Sequence, residues 1–334
     1  MAGAARGADT RLACGARAAI IVRMVPAADP HQDRGAPRSW LLRAQPRLAV
    51  ARPAALMGIL NVTPDSFSDG GATLASADAL AAGAAMAAAG AAWLDIGGES
   101  SRPGAAGVET AEELRRVLPV VSGLAARLPE VPLSIDTTKA AVARAALAAG
   151  AAMVNDISAG ADPGMFAVVA EHGCPLVLMH MQGAPATMQR APRYDDVVDE
   201  VTAFLAGRLR AATAAGVREE AILLDPGIGF GKTVAHNLAL LRALPRLTAA
   251  LGRPLVVGVS RKSFIAGLTG AFPDAAGRDA PSHVLHALLA PHCALLRVHD
   301  VAGARAACAL AAAFADAPPL PALVAGAGPG GAHA

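Results

Sequence analysis

Lysine is nearly missing from this sequence. Its 334 residues contain three, Lys139, Lys232 and Lys262, and arginine carries the remaining basic charge. The composition drifts toward Arg and Ala, so a lysine that persists is informative, and all three fall in motif segments described below. Cysteine is scarce as well. Cys14, Cys174, Cys293 and Cys308 form no CxxC pair, and a chain of this length needs no disulfides to fold. They read as reduced thiols of a cytoplasmic protein, none in a reactive-looking motif. Charge imbalance is lacking too: the net charge is +2, which argues neither for nor against nucleic acid as a partner, and none is expected. No uninterrupted apolar run reaches the ~18 residues of a spanning helix. The 54% hydrophobic content therefore reflects alanine, not a membrane segment.

The two ends differ from the middle. Residues 1–38 are rich in Ala, Arg, Gly and Pro without a sustained period, and read as a disordered extension or an over-long start with Met24 as the alternative. The stretch Ala18–Val22 is too short for a signal-peptide core. Trp40–Ala44 and Arg47–Ala51 flank Gln45-Pro46 and predict a short N-terminal hairpin. Residues 318–334 read as a disordered tail. Residues 39–317 form the candidate domain.

Inside it, short apolar runs recur at Leu56–Val62, Ala92–Ile96, Leu133–Ile135, Met153–Val154, Leu176–Met179, Ile222–Leu224, Leu255–Val259 and Leu295–Val298. Ala/Leu-rich stretches with helical spacing lie between them, including 79–89, 111–128, 197–215 and 236–247. Strands alternating with helices imply an α/β protein with a parallel sheet. Eight such units in about 260 residues fit a closed (β/α)8 TIM barrel better than an open doubly wound sheet.

Each apolar run ends in a polar cluster. In order these are Asn61-Val62-Thr63-Pro64-Asp65, Asp95-Ile96-Gly97-Gly98-Glu99, Asp136-Thr137, Asn155-Asp156, His180-Met181-Gln182, Asp225-Pro226-Gly227, Ser260-Arg261-Lys262-Ser263 and Arg297-Val298-His299-Asp300. Any one Asp or Asn after a strand can simply cap the next helix. Eight in eight is a different matter, because a barrel gathers all C-terminal strand ends on its catalytic face. Asp136 and Asp225 can accept hydrogen bonds from an amino-substituted heterocycle, and Asn155 can donate and accept. Lys262, Arg297 and His299 come from the last two strands, where barrels often bind phosphate, and Arg297 offers a planar fork to its oxygens.

Two glycine-rich patterns fail. Gly227–Thr233 ends like a P-loop, but Pro226 stands where its first glycine belongs, and Lys232 occupies the third glycine of a dinucleotide fingerprint. His283 and His286, three apart on a predicted helix, read as packing or surface residues more readily than as a metal site, with no carboxylate nearby to help.

Met57–Gly71 resembles the first signature of the dihydropteroate synthases, and Asp95–Gly104 resembles the second. Asp225–Lys232, Ser260–Ser263 and Arg297–Asp300 match later motifs in order, and the likeness spans residues 40–315. The resemblance implies a (β/α)8 barrel, a homodimer and Mg2+. It implies that the pterin methyl diphosphate and p-aminobenzoate are joined, releasing diphosphate. Position by position, it places Asp136, Asn155, Asp225 and Lys262 in a pterin pocket, with Asp95 in the same substrate-binding set. Asn61 matches the residue associated with Mg2+ and the diphosphate. Arg297, His299 and loop residue Arg102 match anion-binding positions, while Phe67, Phe230 and Ser263 match the p-aminobenzoate side. Ser101 stands where many relatives carry Thr, keeping the hydroxyl and losing a methyl. Arg278–Cys293 departs most from the pattern, with Pro281 and His292 in unusual places.

The chemistry implied is dissociative: C–O cleavage leaves a pterin-stabilised cation while charge builds on the diphosphate, and the arylamine attacks without a strong general base. The loops 63–71 and 97–107 read as lids that exclude water. A pterin-dependent methyltransferase shares the Asp and Asn contacts but needs no diphosphate clamp. An inactive pterin-binding scaffold predicts damaged loop motifs, and both motifs are intact.

Overall fold

In a computed structural model, residues 54–63, 71–102, 104, 105 and 107–315 are described, with residues 71–75 described in backbone only. The predicted hairpin, both terminal segments and Phe67 lie outside the described residues. Eight parallel strands form one sheet, β1 Ala55–Asn61, β2 Trp93–Gly97, β3 Leu133–Asp136, β4 Met153–Asp156, β5 Leu176–Met179, β6 Ile222–Asp225, β7 Val256–Val257 and β8 Leu295–Val298. The pairing order is β6-β5-β4-β3-β2-β1-β8-β7. The circuit from β6 back to β7 is made by a single parallel bridge, Leu224 opposite Leu255. The result is a nearly closed (β/α)8 barrel, as expected. Several strands run one or two residues farther than their apolar runs, because the ladder continues into the polar layer at Asp136, Asn155, Asp156 and Asp225.

The helices are α1 Gly71–Ala88, α2 Thr110–Arg127, α3 Ala140–Ala148, α4 Met165–His172, α5 Val197–Ala214, α6 Val234–Arg242, α7 Leu244–Leu251, α8 Phe264–Thr269, α9 Asp279–Leu289 and α10 Val301–Ala315. Two departures have local causes. The single helix predicted over 236–247 is two helices, broken at Ala243. Pro245 lacks the N–H that would continue the ladder, and its ring would meet the carbonyl four residues back. Conversely, Pro281 does not disturb α9, because it falls in the first turn, where the N–H groups have no partner anyway.

Strand alternation divides the core. Leu94, Ile96, Ile135, Val154, Leu178, Leu224 and Leu296 face outward under the helices. Met57, Trp93, Met153, Val177, Leu223, Val256 and Leu295 fill a separate cluster inside the barrel. Two residues farther along the same strands, the inward positions become Asp95, Asn155, Asp225 and Arg297. The period of two therefore turns an apolar floor into a polar ceiling within one layer of side chains.

Cys174, Cys293 and Cys308 are free and buried. Burial pushes the first two thiols up to about 12, so they are inert.

His286 on α9 is 1% exposed, and neither ring nitrogen has a partner among the described residues. Burial, helped by His283, pushes its imidazole down to about 4. Between that value and 6.5 the unfolded chain binds a proton that the folded one refuses, so this group's share of stability is lost as pH falls through that window. His286→Gln removes the share. The stability gap between wild type and variant should then change by about 1.4 kcal/mol per pH unit between pH 6 and 4.5 in urea titrations. A gap independent of pH would contradict the assignment.

Candidate active site

The strand-end residues sort into two groups. Some are structural. Asp156 accepts from the Ser158 hydroxyl and N–H at 2.6 and 2.8 Å and from the Gly160 N–H at 2.7 Å. Asp300 accepts from the Gly303 N–H at 3.1 Å. The others face one another across the barrel mouth. Arg297 donates through Nε to Asp95 Oδ2 and through Nη2 to Asp136 Oδ2, each at 2.6 Å. Asn155 Nδ2 donates to the same Asp95 oxygen at 2.9 Å. Strands β2 and β8 flank β1, which brings Asp95 to Arg297. The arginine expected to bind an anion is thus a guanidinium already spanning two carboxylates, with three of its five N–H donors outside those two bonds.

Asp95 is fully buried, and its Oδ1 has no hydrogen-bond partner among the described residues. An orphaned buried carboxylate oxygen is costly unless a ligand supplies a donor. Burial pushes the Asp136 carboxyl up to about 7 against the pull of Arg297. For Arg297, burial opposes the charge, but Asp95 and Asp136 outweigh it and the guanidinium pKa is raised. Asp225 Oδ1 accepts from the Gly227 N–H at 2.7 Å. Burial raises this carboxyl too, with Lys262 as the main opposing charge. Lys262 donates to the Ile228 carbonyl and lies 4.7 Å from the centre of the Phe230 ring. Burial brings it down to about 8.

At the rim, His299 is pushed down to about 3, by burial first and by Arg261 and Arg297 next, so it is neutral at pH 7. Ser260 Oγ accepts the His299 backbone N–H at 3.2 Å and lies 3.0 Å from Nδ1. In the tautomer where the Ser260 hydroxyl donates to Nδ1, the ring proton sits on Nε2 and can serve as a donor. Asn61 closes β1 opposite Gly97. Ser101 is half-buried and Arg102 exposed, on a loop whose Gly104 N–H reaches the Pro185 carbonyl at 3.1 Å. Ser263 is exposed at the start of α8.

Sequence reasoning missed three features. Lys139 bridges Glu99 and the fully buried Glu113, the latter at 2.5 Å, and Thr137 donates to Glu113 at 2.6 Å. That network anchors the start of the 97–107 loop, and the scarcity of lysine was its one signal. Lys232 is buried against His180, where Nζ lies 2.9 Å from Nδ1. Burial brings Lys232 down to about 7 and His180 to about 3. Third, His283 does have a carboxylate beside it, contrary to expectation, with Nε2 3.0 Å from Asp300. The two lie on neighbouring elements and meet because α9 packs on α10. No group of three or more metal-capable His, Cys, Asp or Glu side chains occurs there or elsewhere among the described residues.

Gly227 shows how tightly the site is built. Its φ is +68°, and a Cβ there would lie 1.8 Å from the His180 carbonyl oxygen. Gly227→Ala should cost about 2–6 kcal/mol in strain and overpacking, visible as a large drop in melting temperature. Wild-type melting would refute the contact.

Carboxylates and an amide thus meet around one arginine at the C-terminal mouth of a parallel barrel, a set of donors and acceptors that suits a hydrogen-bonding ligand. Residues 57–299 match the family described as pterin binding enzyme. The chain is 47% identical over 247 residues to dihydropteroate synthase of Escherichia coli K12, covering 74% of this chain and 86% of that protein. It is 50% identical over 256 residues to that of Mycobacterium leprae, covering 75% and 89%. Among solved structures, the Xanthomonas albilineans dihydropteroate synthase with 4-aminobenzoic acid is 49% identical, with a TM-score of 0.74 over 80% of this chain and 95% of that one. The same enzyme with 7,8-dihydropteroate gives 46% and 0.71, over 81% and 99%. The chain belongs to the dihydropteroate synthase family.

Proposed function

We propose that the chain transfers a pterinylmethyl group from its diphosphate to p-aminobenzoate, giving dihydropteroate and diphosphate. The observation that carries this reading is the orphaned, buried Asp95 Oδ1, set in a ring of Asp136, Asn155, Asp225 and Arg297 that offers acceptors to an amino-substituted ring. Asp225 and Asn155 hold the pterin, and Lys262 closes its edge. The remaining N–H groups of Arg297, the Nε2–H of His299, and Arg102 take the diphosphate. These donors are preorganised where negative charge develops as the C–O bond breaks, and each such contact is worth roughly 3–4 kcal/mol. The electron pair leaves with the diphosphate, and Asp136 and Asp225 offset the positive charge on the pterinylmethyl carbon. The arylamine nitrogen, placed beside Phe230 and Ser263, then attacks the pterinylmethyl carbon and gives its proton to the departing diphosphate.

Mg2+ fits the donor set. A hard cation needs oxygen ligands and keeps much of its water, and Asn61 supplies an amide oxygen at the rim, with no metal cage among the described residues. Bound there with the substrate's oxygens, it would supply neutralising charge to the leaving group. Diphosphate release should fall at least tenfold with EDTA and return with Mg2+, and Asn61→Ala should raise the Mg2+ requirement. Activity indifferent to EDTA would remove Mg2+ from the account.

We also read the protein as a cytoplasmic homodimer. No described helix is long and apolar enough to cross a membrane. Val284 and Leu288 on α9 are 60% and 63% exposed, and Leu310 and Phe314 on α10 are 73% and 79% exposed. Each pair is spaced four residues apart along one side of its helix, and the two helices pack on each other, which suits a second copy. Leu288→Glu with Phe314→Glu should sediment as a monomer while wild type sediments as a dimer. A monomeric wild type would refute it.

A further inference from the structure

The segment after β6 is held at four successive carbonyls by four side chains. Lys262 takes Ile228, Gln189 takes Gly229 at 2.6 Å, Lys232 takes Phe230 at 2.9 Å, and Tyr194 takes Gly231 at 2.8 Å. Asn237 adds a bond to the Gly229 N–H at 2.7 Å. The loop also lies against the backbone following β5, where a Cβ on Gly231 would come within 2.4 Å of the Gln182 carbonyl oxygen. In the middle of this clamp the Phe230 ring faces Lys262. Lys232 does nothing that the proposed transfer needs, yet it is 3% exposed. Its Nζ donates to the Phe230 carbonyl and lies within hydrogen-bond distance of His180 Nδ1 and, at 3.4 Å, of the His180 carbonyl.

We propose that Lys232 is a positioning residue for the arylamine, assisted by Tyr194: it fixes the Phe230 backbone, and so the ring against which p-aminobenzoate lies. The proposal rests on the reading above that Phe230 lines the arylamine site. It separates two halves of one pocket. Asp95, Asp136 and Asn155 belong to strands β2 to β4 and do not depend on this loop, whereas the Phe230 ring does; of the pterin-side residues, Asp225 and Lys262 adjoin it. Disturbing the clamp therefore weakens arylamine binding more than pterin binding. A role confined to stability predicts something else, a smaller active fraction with both KM values unchanged.

The test is steady-state kinetics with each substrate varied, on Lys232→Met, Tyr194→Phe, Phe230→Ala and the double variant Lys232→Met/Phe230→Ala. Lys232→Met should raise the KM for p-aminobenzoate at least tenfold, and Tyr194→Phe, the milder change, about threefold, on the scale of one lost hydrogen bond. The pterin methyl diphosphate KM should stay within twofold of wild type in both. Because Lys232 acts through the ring, the double variant should show no higher arylamine KM than Phe230→Ala alone. Should Lys232→Met fail to fold, Tyr194→Phe carries the same test. A fall in kcat with both KM values unchanged, an equal rise in both, or multiplying effects in the double variant would each overturn the proposal. A normal arylamine KM in Phe230→Ala would overturn the underlying reading, and the proposal with it.

Discussion

Arg297→Ala should lower the rate of diphosphate release by a factor of 10² to 10³. It should also make the folded protein less stable by about 3–5 kcal/mol. The first effect is that of removing one preorganised donor aimed at developing charge. The second arises because Arg297 joins Asp95 and Asp136 at 2.6 Å each, and its loss leaves two carboxylates buried together without a cation. Asp136, already raised by burial and by its acidic neighbours, would then bind a proton at neutral pH. Arg297→Lys keeps a positive charge but cannot span both carboxylates, so it should recover part of the stability and little of the rate. Single-turnover rates and urea titrations on the two variants separate the effects. An Arg297→Ala protein with near-normal turnover would remove arginine from the anion clamp.

Asp225→Asn should weaken pterin binding by roughly 10² to 10³ while leaving stability unchanged or slightly higher. The reason is directional. Asp225 Oδ1 is held by the Gly227 N–H at 2.7 Å, so asparagine keeps its oxygen on that bond and turns its NH2 toward the ligand. Donor then meets donor, and a recognition site left with unmatched polar groups discriminates strongly. The folded state, by contrast, bears a burial cost for the carboxylate, shown by its raised pKa, and the amide relieves it. Calorimetric titration with a pterin, beside thermal melting, reads both. Binding within threefold of wild type would place the pterin elsewhere.

The barrel was legible because its strands alternate in both chemistry and direction. Trp93 and Asp95, Leu223 and Asp225, Leu295 and Arg297 each place an apolar residue two positions before a polar one, and that period survives in the fold as floor and ceiling. What each polar residue faces was not legible. Asp156 and Asp225 look alike at the ends of apolar runs, yet the first commits both carboxylate oxygens to its own turn and the second only Oδ1. Asp95 and Arg297 stand 202 residues apart, and only the β2-β1-β8 order makes them partners. The break at Ala243 could have been read from Pro245, because the cost of an interior proline is local. The clamp around Phe230 could not, since Gln189 and Tyr194 come from the segment before α5 and Lys262 from the one before α8, both distant from Phe230 in sequence.

The most direct measurement of the central claim is the product balance of the purified protein given the pterin methyl diphosphate, p-aminobenzoate and Mg2+. The account predicts dihydropteroate and diphosphate in equal amounts, with neither formed when the arylamine is withheld and the closed site excludes water. Pterin bound tightly in the ring of Asp95, Asp136, Asn155 and Asp225 with no product formed would contradict it, and would leave a binding protein in place of a synthase.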